Sequence, residues 1–172
     1  METLTIRVLE AADTPVIVAA FRPLGWHGKT VEVFESYLRE QSVGQRIGLV
    51  ATLDGVFAGY ITVKWHSEYP PFAEKGIPEI QDLNVLPDFR RRRVASRLVD
   101  EAERRIFERG AVAGIGFGIS ADYGPAQRMY VRRGYVPDGR GLFANGRFVP
   151  DNATVFVGEC VIYLTKERPG KA

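Results

Sequence analysis

Residues 80–119 change period twice, and that change restricts the fold more than any other stretch of the chain. Ile80 to Val85 reads as a short strand that stops at Pro87. Val94, Leu98, Ala102 and Ile106 then recur at every fourth position, the spacing of one buried helix face, and Gly110 closes the helix. Val112 to Ile119 is a second short apolar run, read as a buried strand. Strand, helix, strand is therefore the centre of the chain. Before it, strands at 47–53 and 56–65 are joined by Asp54-Gly55, a strong hairpin dipeptide. An alternating strand opens the chain at Leu4–Leu9. A helix capped by Asp13 with Pro15 in its first turn follows, then a second helix capped by Thr30 and ending near Ser42. Residues 67–78 read as a loop and 138–154 as a Gly- and Asn-rich excursion. A helix from Pro125 to Arg133 and a final strand at 161–164 complete the order. A hairpin first and a strand-helix alternation after it predict an α/β chain of the mixed-sheet kind, with helices on both faces.

At 172 residues the chain is expected to be one domain, 1–172, able to bury a core without disulfides or metal. One Cys forms no internal disulfide and two His are too few for a His-rich metal site, so no metal is expected. No apolar run reaches transmembrane length and Met1 to Arg7 lacks the look of a signal peptide. The expectation is a soluble cytoplasmic protein with no membrane partner. The near balance of 23 basic and 21 acidic residues hides an asymmetry. Residues 1–86 carry 7 basic and 11 acidic groups, whereas 87–172 carry 16 and 10. The basic half suits an anionic partner, or simply a solvated basic helix face.

Four consecutive arginines, Arg90 to Arg93, stand where the central helix begins. That end of a helix already carries about half a positive charge, so cations there are unfavourable. An anion would reverse the sign: free N–H groups of the first turn cradle phosphate oxygens, and guanidinium groups add charge-assisted bonds. A solvated surface cluster is the other reading of the same residues.

The segment Leu83-Asn84-Val85-Leu86-Pro87-Asp88-Phe89-Arg90-Arg91-Arg92-Arg93-Val94-Ala95-Ser96 resembles the acyl-CoA-binding motif of the GNAT superfamily of N-acetyltransferases. Val85, Pro87, Arg90 and Ala95 match the motif; Arg93 departs from it, since a Gly is usual there. A second block, Ala126-Gln127-Arg128-Met129-Tyr130-Val131-Arg132-Arg133-Gly134-Tyr135, is similar to the family's Ala-x-x-Leu-Tyr-x-x-x-Gly-Phe signature. Tyr123 replaces the Asn that often precedes it. The resemblance spans nearly the whole chain and implies a mixed, mostly antiparallel sheet of six to seven strands.

It also implies acetyl-CoA as co-substrate and a primary amine as acceptor. In the family the pantetheine arm lies between two splayed strands, here Ile80–Val85 and Val112–Ile119. Leu83, Asn84 and Val85 would bond that arm, and the N–H groups of Arg91, Arg92, Arg93, Val94, Ala95 and Ser96, with Arg90 and Tyr123, would complete the donor site. A lysine-like amine has a pKa near 10.4, so only about one molecule in a few thousand is neutral at pH 7. A base for the amine and an acid for the departing sulfur are both useful. Tyr130 aligns with the family's acid. Glu79 aligns with a base found in some members, Asp82 is the alternative on the opposite face of a regular strand, and water chains also serve. Acceptor choice comes from variable loops, here Trp26 to Thr30, Trp65 to Pro78 and Gly139 to Thr154.

Three weaker signals carry less. Gly25-Trp26-His27-Gly28-Lys29-Thr30 ends like a P-loop, but the first glycine position is Pro23 and a helix, not a strand, precedes it. Gly114-Ile115-Gly116-Phe117-Gly118 is a partial dinucleotide fingerprint with Ile119 at its last position. Cys160 beside Val161-Ile162 reads as a core thiol. A non-catalytic acyl-CoA sensor is the alternative function; nucleic-acid binding is not expected, for no aromatic residues interleave the basic stripe. The sequence leaves monomer or homodimer open.

Overall fold

The computed structural model describes residues 2–170. In chain order the elements are β1 (Leu4–Val8), α1 (Asp13–Phe21), α2 (Val31–Ser42), β2 (Arg46–Leu53), β3 (Val56–Lys64), α3 (Pro70–Lys75), β4 (Glu79–Val85) and α4 (Val94–Arg109). β5 (Val112–Gly118), α5 (Gly124–Arg132), β6 (Val136–Ala144), β7 (Arg147–Phe148) and β8 (Val161–Glu167) follow. This is the expected mixed α/β class, with eight strands among the described residues rather than six or seven. No helix among the described residues is long and apolar enough to cross a membrane. The chain divides into two compact units, one of Met1–Trp65 with Ile80–Arg105, the other of His66–Glu79 with Ile106–Ala172.

In the first unit the strands run in the order β1-β2-β3-β4. β1 pairs antiparallel with β2, Leu4 opposite Leu53, and β2 with β3, Arg46 opposite Lys64. The β2–β3 turn places Asp54 at φ +51° and Gly55 at +80°. Two left-handed residues match the twist of a two-residue hairpin, which is why Asp-Gly works there. Leu9, Ile17, Phe21, Phe34, Val50, Phe57 and Tyr60 form the core. Full burial of side chains of this size contributes roughly 1.5–3 kcal/mol each. Phe34 and Phe21 meet the Tyr60 ring edge-on at 5.2 and 5.9 Å, so the tyrosine is gripped from two helices. β3 approaches β4 closely at Gly59, where an added Cβ would lie 2.4 Å from the Asn84 carbonyl oxygen. Asp13 is not the cap of α1. It lies inside the first turn after Ala12, and its carboxylate accepts from the Arg7 guanidinium and the Glu10 N–H instead. An arginine within reach outcompetes the helix's own donors.

In the second unit the strand order is β5-β8-β6-β7, with each observed pair antiparallel. Residues 67–78 are not all loop: Pro70 starts α3, because its fixed φ suits a first helical turn. The excursion at 138–154 also holds structure. β6 and β7 form a hairpin about Asn145 and Gly146, both left-handed. Tyr69, Phe72 and Ile77 make this unit's core with Phe143 and Tyr163 against them. α4, whose residues up to Arg105 belong to the first unit, carries its apolar face as the spacing predicts: Val94, Leu98, Ala102 and Ile106 are all buried.

Candidate functional site

β4 ends at Val85 and a single 3-10 turn, Pro87–Phe89, leads to the arginine run. Arg90 is extended, and Arg91 and Arg93 both take left-handed backbone, φ +61° and +65°. The residue standing where the motif has Gly thus adopts the dihedral that Gly would. The first helical bond of α4 runs from the Arg97 N–H to the Arg93 carbonyl at 3.0 Å. The N–H groups of Val94, Ala95 and Ser96 come before it and have no partner within the helix. All four arginines are exposed. Arg92 is committed locally: its guanidinium pairs with Glu2 and lies over the Phe89 ring at 5.8 Å. First-turn N–H groups outside the helical ladder, left-handed turns and exposed guanidinium groups are the kind of donor set that a diphosphate needs.

Three residues upstream the strand is not regular. Asp82 has φ +53°, so the expectation that its side chain simply alternates along β4 does not hold. Left-handed backbone is rare outside Gly but tolerated by Asp and Asn. The Asp82 carboxylate collects four donors. Lys29 Nζ and Asn84 Nδ2 donate to Oδ1, the latter at 2.7 Å. The Tyr60 and Tyr37 hydroxyls donate to Oδ2 at 2.5 and 2.9 Å. Burial alone would push this carboxyl up, but the Lys29 charge and the donated bonds outweigh it and hold it below its ordinary value. The same burial and the nearby carboxylate raise both tyrosines, so they stay protonated donors. The buried Arg46 supports the group from behind, stacking on the Tyr37 ring at 4.5 Å while donating to Glu40, Thr62 and Gln81. Leu83, Asn84 and Val85 are half-buried beside it.

In the second unit Glu79, 6% exposed, accepts a hydrogen bond from the Ser67 hydroxyl, whose oxygen in turn accepts the Tyr69 N–H at 3.0 Å. Tyr130, 5% exposed, sits in α5 with its ring edge-on to Tyr135 at 6.1 Å. Burial, then the influence of Tyr123, pushes its phenol up to about 12. Tyr123 ends the turn before α5, 47% exposed, with its ring over Gly118. An added Cβ on Gly118 would lie 2.5 Å from that ring. Gln127 ties α5 to the Gly118 carbonyl at 2.9 Å.

The sequence profile of the Acetyltransferase (GNAT) family matches residues 13–135. The chain belongs to the GNAT acetyltransferase family. Its fold is similar to that of an N-acetyltransferase from Staphylococcus aureus, with 13% identity, TM-score 0.71 and coverage of 96% of this chain and 98% of that one. An acetyltransferase of the GNAT family from Streptococcus pneumoniae shares 18% identity, TM-score 0.65, and coverage of 96% and 100%. The PaiA N-acetyltransferase from Thermoplasma acidophilum, in complex with coenzyme A, shares 15% identity, TM-score 0.64, and coverage of 96% and 99%. No curated protein sequence matches the chain. Membership of the GNAT family supports acetyl transfer from acetyl-CoA as the general activity.

Within this GNAT chain, Asn84, the arginine run and the helix start lie in one continuous segment of the first unit. Glu79 and Tyr130 lie in the second unit. The sequence reading missed Lys29 and the two tyrosines around Asp82. Only the isolated Lys in a Gly-flanked loop hinted at the first; nothing in the spacing of Tyr37 and Tyr60 signals that their hydroxyls converge. Among the described residues no cluster of His, Cys, Asp and Glu could hold a metal ion.

Proposed function

We propose that the chain works as a single acetyltransferase domain over residues 1–172. In this reading it moves the acetyl group of acetyl-CoA to a primary amine of a small molecule or peptide by direct attack, in the cytoplasm. The observation that carries the reading is the left-handed backbone at Arg93, which keeps the turn of the motif without its glycine and leaves the N–H groups of Val94, Ala95 and Ser96 ahead of the first helical bond of α4. The diphosphate of the donor bonds the N–H groups of Val94, Ala95 and Ser96. Arg90, Arg91 and Arg93 close on its outer oxygens. Leu83, Asn84 and Val85 offer the backbone that lines the pantetheine arm.

The amine nitrogen attacks the thioester carbonyl carbon. A C–N bond forms, the C–S bond breaks, the nitrogen loses a proton and the sulfur gains one. Tyr130, a phenol with its proton in place throughout the ordinary pH range, is the acid for the thiolate. Glu79 is the base for the amine, because Asp82 has its carboxylate committed to four donors and held low, which makes it a poor proton acceptor. The test is release of free thiol from acetyl-CoA across a panel of amines, beside calorimetry of acetyl-CoA binding. Thiol release with at least one primary amine is expected. Arg90→Ala is expected to weaken donor binding more than Arg92→Ala, whose guanidinium is already held by Glu2. Tight acetyl-CoA binding with no turnover on any amine supports the sensor instead.

A further inference from the structure

Lys29 has an unusual position for a lysine in an exposed loop. Its ammonium is drawn in to Asp82 and over the Tyr60 ring, 5.5 Å from the centroid. The lysine and Asp82 side chains keep 16% and 19% of their exposure, so the pair sits at the mouth of the cluster and not in the core. What surrounds the Nζ atom is a primary-ammonium receptor. One carboxylate oxygen accepts a hydrogen bond from it, one aromatic face lies against its charge, and the second oxygen is pinned by two hydroxyls. A guanidinium is too broad and flat to repeat this seating, and a quaternary ammonium has no proton to donate. Asn84 holds the same Oδ1 from the other side and also bonds the Asp82 carbonyl at 3.1 Å, which fixes the carboxylate whether or not the ammonium is present.

The lysine arrives on a segment with few backbone bonds of its own. Between Gly25 and Thr30 the backbone bonds are two short turns, from His27 to the Gly25 carbonyl and from Lys29 to the Trp26 carbonyl. Trp26 anchors the near end by stacking on Phe21 at 5.1 Å, and at the far end Thr30 stands at the N-cap position of α2 without a side-chain cap bond, its carbonyl accepting the Phe34 N–H at 3.4 Å. Gly28, between them, has open space on its Cβ side.

We propose that Asp82, Tyr60, Tyr37 and Asn84 form a binding site for a primary alkylammonium group of the acceptor, and that Lys29 of the chain itself fills this site until the acceptor displaces it. This rests on the acetyl-transfer reading for its purpose but not for its test. A carboxylate partner favours the protonated form of the amine it holds. The anchored group is therefore not the one acetylated, and the acceptor carries a second amine on an unbranched chain. The site takes a diamine-like cation by one end.

The probe is 1,4-diaminobutane, with 1,4-butanediol as the neutral control. In the unaltered protein, the NMR signal of the Lys29 Nζ group shifts with added diaminobutane and not with the diol; no shift at saturating probe overturns the proposal. By calorimetry, Lys29→Met binds diaminobutane about tenfold more tightly than the unaltered chain, because an occupied site reduces apparent affinity by the free fraction. Asp82→Asn, which keeps the shape and tolerates the left-handed backbone, loses that binding. Equal affinity in all three proteins overturns the proposal. Neither readout needs acetyl-CoA, so failure of amine acetylation alone leaves this inference standing, and failure of diaminobutane binding leaves the acetyl-transfer reading standing.

Discussion

Arg93 is the sharpest place to test how the turn into α4 is built. Its φ of +65° puts a Cβ-bearing residue in the left-handed region. That conformation costs an L-residue roughly 1–2 kcal/mol. Glycine avoids the cost but brings about 0.5–1 kcal/mol of extra chain freedom in the unfolded state relative to alanine. Arg93→Gly and Arg93→Ala both remove the same guanidinium, so the difference between them isolates the backbone. The Gly variant is expected to be the more stable by roughly 0.5–1 kcal/mol. For a chain of this size that is a melting-point gap of about 2–4 °C per kcal/mol. Urea unfolding of the two variants, with midpoints and slopes compared, measures it. An Ala variant as stable as the Gly variant would refute the argument, for the turn would then not need a left-handed residue at that position.

Other expectations follow from single contacts. Gly59→Ala drives a Cβ to within 2.4 Å of the Asn84 carbonyl and is expected to cost about 1–3 kcal/mol in urea unfolding; a change near zero would mean β3 and β4 can part freely. Tyr130→Phe is expected to lower turnover with little change in acetyl-CoA binding. With the phenol at about 12, no alkaline loss of turnover in the unaltered enzyme below about pH 10 is assigned to it; equal turnover of the Phe variant removes Tyr130 from the acid role. Asp82 has its carboxyl held below the ordinary 3.8, so its pairing stabilises fully above that pH and the benefit fades as pH falls through the lowered value. The stability gap between the unaltered chain and Asp82→Asn is therefore expected to hold from pH 7 to pH 5 and to close in strong acid; a gap unchanged at pH 2 rejects the ion pair as its source.

Local signals carried most of the fold. Asp54-Gly55 named its hairpin, and four-residue spacing placed α4, because turn chemistry and helical periodicity are written in neighbouring residues. Asn145-Gly146 carries the same hairpin signal, yet its crowding among other glycines hid β6 and β7 inside an apparent excursion. Asp13 read as a cap because Asp before a helix usually is one; its true partner, Arg7, lies across the β1–α1 connection, where sequence patterns say little. The turn into α4 was legible because every part of it is contiguous. The Asp82 cluster was not, because its members come from a loop, a helix and two strands, and because one left-handed residue inside β4 re-aims the carboxylate. A strand period assumes regular backbone, and it fails where the backbone turns.

Tyr60 faces two ways, its ring wedged between Phe21 and Phe34 and its hydroxyl on Asp82. Interior packing and recognition chemistry therefore share one rigid lever. A methylene gained or lost at Phe34 or Phe21 is expected to tilt the phenol and shift its oxygen. In a selection for new acceptors, the informative library lies beneath the site as well as around its rim. Thermostabilising changes to this interior should be screened for altered amine preference from the outset.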